Sequence, residues 1–175
     1  MLEGLYLELN NRSGELPDNI DDLLPNIQRL FLNNNKLTGT IPTSVSNATR
    51  LSRLSLAFNQ LIGSVPATLG KLYELEELLL HNLTVRTTGV SFLSSLTNRR
   101  RLRILWLGLN NLKLELPSSM GNFLASLEEL AMYSSEIQGS IPDAIRNISN
   151  LRYLTFEDND LKGPVLDALG RLSNI

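Results

Sequence analysis

The strongest constraint in this sequence is a short pattern that returns at a nearly constant interval. LTGTIP at 37–42 recurs as LIGSVP at 61–66 and IQGSIP at 137–142, with degenerate copies at 12–17, 112–117 and 161–166. Copies of the full pattern, L-x-x-L-x-L-x-x-N-x-L-x-G-x-I-P, are 24 to 27 residues apart and begin at Leu2, Ile27, Leu51, Leu75, Leu102, Leu127 and Leu151. A unit this short cannot bury an apolar face alone, so about seven stacked copies are predicted to form a single domain over residues 1–175.

Each repeated position has a physical role in such a stack. The L-x-x-L-x-L segment alternates as a strand does, with Leu54 and Leu56 on one side, so neighbouring copies should pair in parallel. Glycine permits backbone conformations closed to other residues, and proline fixes φ without leaving an unpaired N–H, so each LTGTIP-like segment turns one coil. The predicted fold is an α/β repeat solenoid with a parallel sheet on its inner side and little regular helix on its outer side.

An asparagine follows most of the strands, at the point where the chain turns. Its amide can donate to and accept from loop C=O and N–H groups that would otherwise be buried without partners. We expect this structural asparagine ladder at Asn10, Asn35, Asn59, Asn110 and Asn159.

Composition narrows the functions that such a stack could serve. A net charge of -2 and a pI near 5.5 supply no basic field for a nucleic acid or an anionic membrane. The chain has no cysteine and a single histidine, His81, so neither a thiolate metal site nor a catalytic cysteine can form. We therefore predict no metal, no cofactor and no enzymatic activity. The basic stretch RRRLR at 99–103 is interpreted as a solvated outer face.

The period and the G-x-I-P turn together resemble the plant-specific leucine-rich repeat, in the form found outside the cell in plant leucine-rich-repeat receptor-like kinases. VSFLSSLTNRRRLRILWLGLNNLKLELPSSMGNFLASLEEL, residues 90–130, is similar to the subfamily that includes receptors for bacterial patterns. The resemblance implies a curved right-handed superhelix with a second short strand near each turn, and an inner face that binds a ligand or co-receptor at the cell surface. The kinase domain of such a receptor would lie elsewhere, because no kinase motif, signal peptide or transmembrane run of about 18 apolar residues occurs here.

The chain departs from that family pattern in several places. The fourth copy carries its asparagine one place early, in HNLT at 81–84, and the cysteines that usually flank such ectodomains are missing. We interpret the chain as a fragment without caps or kinase domain, whose open apolar ends should associate end to end. Residues that differ from the pattern are Arg12, Leu114, Ser135 and Leu166; apolar residues at the two ends are Leu2, Leu5, Leu7, Leu169, Leu172 and Ile175.

Recognition on a solenoid is expected at strand side chains that point away from the core, which are the third, fifth, seventh and eighth positions of each copy. Aromatic residues and arginine at these positions match the composition of interface hot spots. The alternative is that such residues merely favour strands and cover aliphatic neighbours. The candidate ligand-binding residues are Tyr6, Arg29, Phe31, Asn33, Arg53, Phe58, Glu77, His81, Trp106, Glu129, Tyr133, Tyr153, Glu157 and Asp158.

Four N-x-S/T sequons are candidate glycosylation sites. Asn47 and Asn147 occupy the same point of their copies on the outer return segment, where a glycan would leave the inner face free. The full set is Asn11, Asn47, Asn82 and Asn147.

Three functions fit a stack of this kind. The first is recognition of a peptide or protein ligand, with a possible co-receptor, in signalling and innate immune perception. The second is inhibition of a secreted microbial hydrolase, as in the similar polygalacturonase-inhibitor proteins. The third, binding to ice, needs a flat row of identical Thr or Asn side chains, whereas the central row here includes Phe31, Ser55 and Trp106.

Overall fold

Each coil of the chain begins with a three-residue strand that pairs with the strand of the next coil. A computed structural model describes residues 1–86, 90–97 and 99–164. The strands are β1 Gly4–Tyr6, β2 Ser13–Glu15, β3 Arg29–Phe31, β4 Lys36–Thr38, β5 Arg53–Ser55, β6 Glu77–Leu79, β7 Ile104–Trp106, β8 Glu129–Ala131, β9 Gln138–Gly139, β10 Tyr153–Thr155 and β11 Asp160–Leu161.

Seven strands form one parallel sheet, in the order β1-β3-β5-β6-β7-β8-β10. The chain therefore adds one strand at a time in one direction, as a stack of coils must. This sheet lines the concave side of a curved right-handed superhelix, and the predicted leucine-rich-repeat solenoid is confirmed.

A second, thinner layer of β-structure follows the turns. β2 pairs with β4 and β9 with β11, both in parallel. Between these pairs the layer is reduced to single bridges, such as that between Thr40 and Ile62. The second short strand that the family resemblance implied is thus formed near both ends of the described chain.

The core is a column of leucines that the register of the sheet sets one above the other. Leu30 lies opposite Leu54, Leu54 opposite Leu78, and Leu105 opposite both Leu78 and Leu130. These side chains are at most 2% exposed. Full burial of a leucine side chain contributes about 1.5–3 kcal/mol, and a single coil offers no partner against which to obtain it.

Short helical turns return the chain along the outer side. Close packing there requires glycine, because a Cβ at Gly70 would lie 2.6 Å from the backbone oxygen of Ser95 in the next coil. The α-helical segments are Ile20–Leu23 and Ser91–Leu96, and the 3-10 segments are Thr43–Asn47, Ala67–Lys71, Ser118–Ser126 and Asp143–Asn147.

The LTGTIP-like turns use glycine for its left-handed backbone. Gly39 and Gly63 have φ of 75° and 78°. In the fifth coil Leu114 takes the glycine place; it is 4% exposed, and the left-handed residue is instead its neighbour Lys113, with φ of 47°. The coil thus keeps its turn by moving the strained position one residue earlier. Leu166, the residue at the proline place, lies outside the described residues.

The ladder asparagines join successive coils from inside. Asn59 donates from Nδ2 to the oxygens of Leu32 and Leu56 at 3.0 and 2.9 Å, and its Oδ1 accepts from the N–H of Leu37 at 3.0 Å. Asn35, Asn110 and Asn159 donate to the two corresponding oxygens, whereas the exposed Asn10 bonds only within its own turn.

Two coils fill the ladder place differently. In the sixth coil Ser135 donates from Oγ to the oxygens of Leu107 and Tyr133 at 3.2 and 3.0 Å. The serine hydroxyl thus replaces some of the hydrogen bonds that an asparagine amide makes in the other coils. In the fourth coil the place is held by Leu83, which is 4% exposed.

Among the residues that the structure describes, no helix is long and apolar enough to cross a membrane.

Candidate ligand-binding face

The concave sheet carries a row of rings that runs across five coils. Phe58 and His81 meet edge to face with centroids 5.0 Å apart, and His81 meets Trp106 at 5.4 Å. Trp106 then approaches Tyr153 at 6.5 Å, passing over the sixth coil, where Ala131 is 1% exposed. We call Phe58, His81, Trp106 and Tyr153 the aromatic row. Because alanine stands between the last two, their rings can meet across a strand that lies between them.

The outer members of the row are accessible. Phe58 is 40% exposed and Tyr153 49% exposed, while Trp106 is half-buried between its neighbours. The indole N–H of Trp106 donates to Oε2 of Glu129 at 3.1 Å, which holds the ring against the neighbouring strand. The row is therefore an ordered apolar surface, and the indole N–H of its central ring already has a hydrogen-bond partner.

His81 corrects the expectation that every candidate residue points into solvent. Its side chain is 8% exposed, because Phe58 and Trp106 cover it from both sides. Its Nδ1 is buried without a hydrogen-bond partner in the described structure, and burial lowers the pKa of the imidazole below the ordinary value of 6.5. His81 is thus part of the floor of the face, between Phe58 and Trp106.

Two further aromatic contacts extend the face. Tyr6 and Phe31 stack nearly parallel at its first edge, with centroids 5.4 Å apart and an angle of 10° between the rings. The ring of Tyr133 covers Gly108, where an added Cβ would lie only 2.6 Å from Cδ1 of the tyrosine. The absence of a side chain at Gly108 therefore allows the Tyr133 ring to pack against the backbone of the fifth coil.

Some of the charged candidates have partners on a neighbouring coil. Nε of Arg53 lies 3.4 Å from Oε1 of Glu77 on the next strand. Oδ2 of Asp158 accepts from Oγ of Ser134 at 2.8 Å. Arg29 and Glu157 are exposed at opposite ends of the sheet. Asn33 is partly buried, on the coil that carries Phe31. The exposed charge is therefore basic at Arg29, in the second coil, and acidic at Glu157, in the seventh.

The alternating pattern of the sequence did not predict the rim of the face. The eighth residue of every coil has a left-handed backbone and forms a rim beside the strands. Asn or Asp at three of these positions was a usable signal, since these two types tolerate positive φ better than most others. The rim consists of Leu9, Asn34, Phe58, Asn82, Leu109, Ser134 and Asp158, with φ from 46° to 57°.

The basic stretch at 99–103 lies at the side and back of the solenoid and is largely engaged. Arg103 bonds Glu128 through two nitrogens, at 2.8 and 3.1 Å, and the guanidinium holds the pKa of that carboxyl below its ordinary value. Arg101 pairs with Glu74, and Arg99 lies 4.4 Å from the centre of the Tyr73 ring.

No group of three or more residues able to hold a metal occurs in the described ranges.

All four sequon asparagines are exposed, but they lie on different surfaces. Asn47 and Asn147 end two of the 3-10 segments on the outer side, and Nδ2 of Asn47 donates to Oδ2 of Asp21 at 2.9 Å. Asn11 lies in the first turn, and Asn82 lies on the rim of the concave face.

Comparison with known proteins agrees with this geometry. The chain is 46% identical over 63 residues to the receptor kinase-like protein Xa21 of Oryza sativa subsp. japonica, covering 36% of this chain and 6% of the relative. It is 34% identical over 165 residues to receptor-like protein 39 of Arabidopsis thaliana, covering 93% of this chain and 18% of the relative. The chain thus spans less than a fifth of either protein.

A solved structure gives the same fold. The Arabidopsis receptor kinase HAESA, in complex with the peptide hormone IDA and the co-receptor SERK1, is 29% identical and superposes with a TM-score of 0.89. The match covers 99% of this chain and 28% of HAESA. The family model described as leucine-rich repeat region matches residues 5–162. With its seven-stranded concave sheet and its similarity to plant receptor ectodomains, the chain belongs to the leucine-rich-repeat family.

Proposed function

We propose that this chain is the recognition segment of a plant receptor ectodomain and binds an extended peptide or a small protein domain on its concave face. The observation that carries the proposal is the aromatic row, which places accessible rings beside a buried histidine across neighbouring strands. Rigid aromatic side chains surrounded by polar residues are the usual composition of interface hot spots.

The similarity to receptors supports this function. HAESA is a receptor kinase whose structure contains a peptide hormone and a co-receptor. A segment of HAESA has the same fold as 99% of this chain. We extend the likeness to an extracellular location, a role in signalling or immune perception, and a co-receptor as second partner. The relatives named above are receptors and receptor-like proteins, so the hydrolase-inhibitor alternative is not proposed.

The face specifies some properties of the ligand. Neighbouring strands are about 4.8 Å apart, so seven strands offer a surface on the order of 30 Å wide, enough for an extended peptide. An apolar ligand side chain would pack on the outward faces of the Trp106 and Tyr153 rings, which meet over the buried Ala131. Arg29 at one end and Glu157 at the other would orient a ligand with the opposite charge asymmetry, and salt would slow its association.

Screening the folded chain against a library of secreted peptides, followed by calorimetry of each hit, tests the proposal. For a ligand of the concave face, Trp106→Ala and Tyr153→Ala should each weaken binding by about 2 kcal/mol, which is typical of a hot-spot residue. Tyr73→Ala is the matched control, since Tyr73 is 67% exposed and lies after the Ala67–Lys71 segment, away from the sheet. A ligand whose affinity falls only with Tyr73→Ala would place recognition on the outer side.

A further inference from the structure

In the fourth coil the asparagine lies on the rim of the concave face, whereas the third coil has its asparagine in the interior. In the third coil the ladder residue Asn59 is 8% exposed, and in the fourth the same place is occupied by buried Leu83. The asparagine of the fourth coil is the preceding residue, Asn82, which is exposed and has φ of 52°. Within the described structure its side chain makes no hydrogen bond, so its amide is directed to solvent and free to react.

Two exposed apolar side chains flank this asparagine. Phe58 and Leu109 occupy the same rim position in the third and fifth coils, and each is 40% exposed. The N–H of Phe58 donates to the oxygen of His81 at 3.1 Å, and the N–H of Asn82 to that of Gly108 at 2.9 Å. The three rim residues are therefore on hydrogen-bonded neighbouring coils, with Asn82 in the middle.

Residues 82–84 read Asn-Leu-Thr, which is an N-glycosylation acceptor sequence. A left-handed backbone by itself explains why an asparagine is tolerated at 82, as at Asn34, but it does not require a threonine two residues later. Thr84 also has a structural bond, from Oγ1 to the oxygen of Leu61 at 2.9 Å, so a test must separate the two roles.

We propose that Asn82 carries an N-linked glycan that lies over Phe58 and Leu109 and closes this rim of the concave face. In the transfer, Nδ2 of Asn82 loses a proton to the surrounding water and forms a bond to the first sugar carbon of a lipid-diphosphate-linked oligosaccharide. The bond from that carbon to the diphosphate oxygen breaks, and the lipid diphosphate leaves with the electron pair. The inference rests on the proposed extracellular role, since that donor is met in the secretory pathway.

The consequence is a direction of approach for the ligand. Asn47 and Asn147 end outer segments, so glycans there leave the concave face open. A glycan at Asn82 is bulky and hydrated, and it would exclude a partner from the rim on both sides of its coil. The glycan would cover Phe58 and leave Trp106 and Tyr153 as the accessible rings of the aromatic row. A ligand would then reach Trp106 from the side of the sheet where the strands begin, at Glu77 and Glu129.

The first measurement is site occupancy. The chain is secreted from plant cells, deglycosylated enzymatically in heavy-oxygen water, and mapped by mass spectrometry, which marks each asparagine that carried a glycan. Wild type and Thr84→Ser should be marked at residue 82. Thr84→Ala should lose the mark, and Asn82→Asp, which keeps a side chain suited to a left-handed backbone, cannot carry it.

The second measurement is shielding, by hydroxyl-radical footprinting of the glycosylated wild type and of Asn82→Asp. Labelling of Phe58 and Leu109 should be lost when the glycan is present. Leu9 has the same rim position in the first coil and is 76% exposed, so its labelling should stay constant. An unmodified Asn82, or equal labelling of Phe58 and Leu109 in both proteins, overturns the inference. Neither readout needs a ligand, so a failure to find one bears on the proposed function alone.

Discussion

The indole N–H of Trp106 and the carboxylate of Glu129 meet across neighbouring strands at 3.1 Å. The bond ties the central ring of the aromatic row to a residue 23 positions later in the chain. The two residues are therefore structural neighbours as well as candidate ligand contacts, and a change at either should affect folding and recognition by different amounts.

We expect Trp106→Ala to lower the free energy of unfolding by about 1–2 kcal/mol, since it removes ring contacts and one charge-assisted hydrogen bond. Glu129→Gln keeps an acceptor for the indole and should cost about half as much or less. Urea denaturation of both variants measures the difference. Equal losses would mean that the carboxylate charge, and not the ring, holds this part of the face together.

A charge in the leucine column should unfold the solenoid. Leu105 is 0% exposed, so Leu105→Asp places a carboxylate among leucines with no partner, at a cost of several kcal/mol. Arg29→Asp introduces the same side chain at an exposed strand position and should change stability by about 0.5 kcal/mol or less. Circular dichroism melting separates the two. A cooperative melt of Leu105→Asp at the wild-type temperature would refute the register of the sheet.

Removing a ladder amide should cost more inside the stack than at its end. Asn59→Ala leaves the carbonyl of Leu56 and the N–H of Leu37 without their side-chain partner, whereas the carbonyl of Leu32 keeps its bond from Asn35. Each buried unsatisfied group costs about 1–3 kcal/mol. Asn10→Ala removes bonds that are exposed to water, so it should be nearly neutral. Thermal melts in parallel test this, and similar shifts in both variants would contradict a joining role for Asn59.

His81 should make stability depend on pH. Because burial lowers its folded-state pKa, the unfolded chain binds the proton more tightly than the folded one. Its contribution to stability is therefore full above the unfolded pKa and decreases as pH falls through about 6.5 towards the lower folded value. Subtracting the pH profile of His81→Phe from that of wild type isolates this effect. A difference that stays flat from about pH 7 to about pH 5, a range that includes the ordinary pKa of imidazole, would show that His81 titrates normally.

When the 175-residue chain is expressed by itself, we expect the first edge of its sheet to promote self-association. β1 pairs only with β3 among the described strands, and Leu2 beside it is 51% exposed. An unpaired strand edge with apolar neighbours is a template for another chain. Leu2→Lys should reduce association at high concentration in light scattering, whereas Leu109→Lys, on the rim, should not. Monomers at every concentration would refute the prediction. The residues of the opposite end, Leu169, Leu172 and Ile175, lie outside the described residues.

The repeat in the sequence was sufficient to predict the solenoid. A period near 24 residues, leucines alternating as in a strand, and a glycine-proline turn leave stacking of coils as the only way to bury the leucines, so Leu54 and Leu105 could be assigned to the core directly. The asparagine pattern likewise predicted amides near the buried turns, because their hydrogen-bonding capacity matches what a turn leaves unpaired. These features depend on residues close together in the chain.

Tertiary structure decided the details of the candidate face. His81 is buried because Phe58 and Trp106, 23 and 25 positions away, lie on the coils at either side. The left-handed rim and the closing of Trp106 onto Tyr153 over Ala131 arise in the same way. Alternation along one strand indicates which side chains face outward, but exposure, ring contacts and hydrogen bonds depend on the neighbouring coils, whose lateral alignment exists only once the chain is stacked.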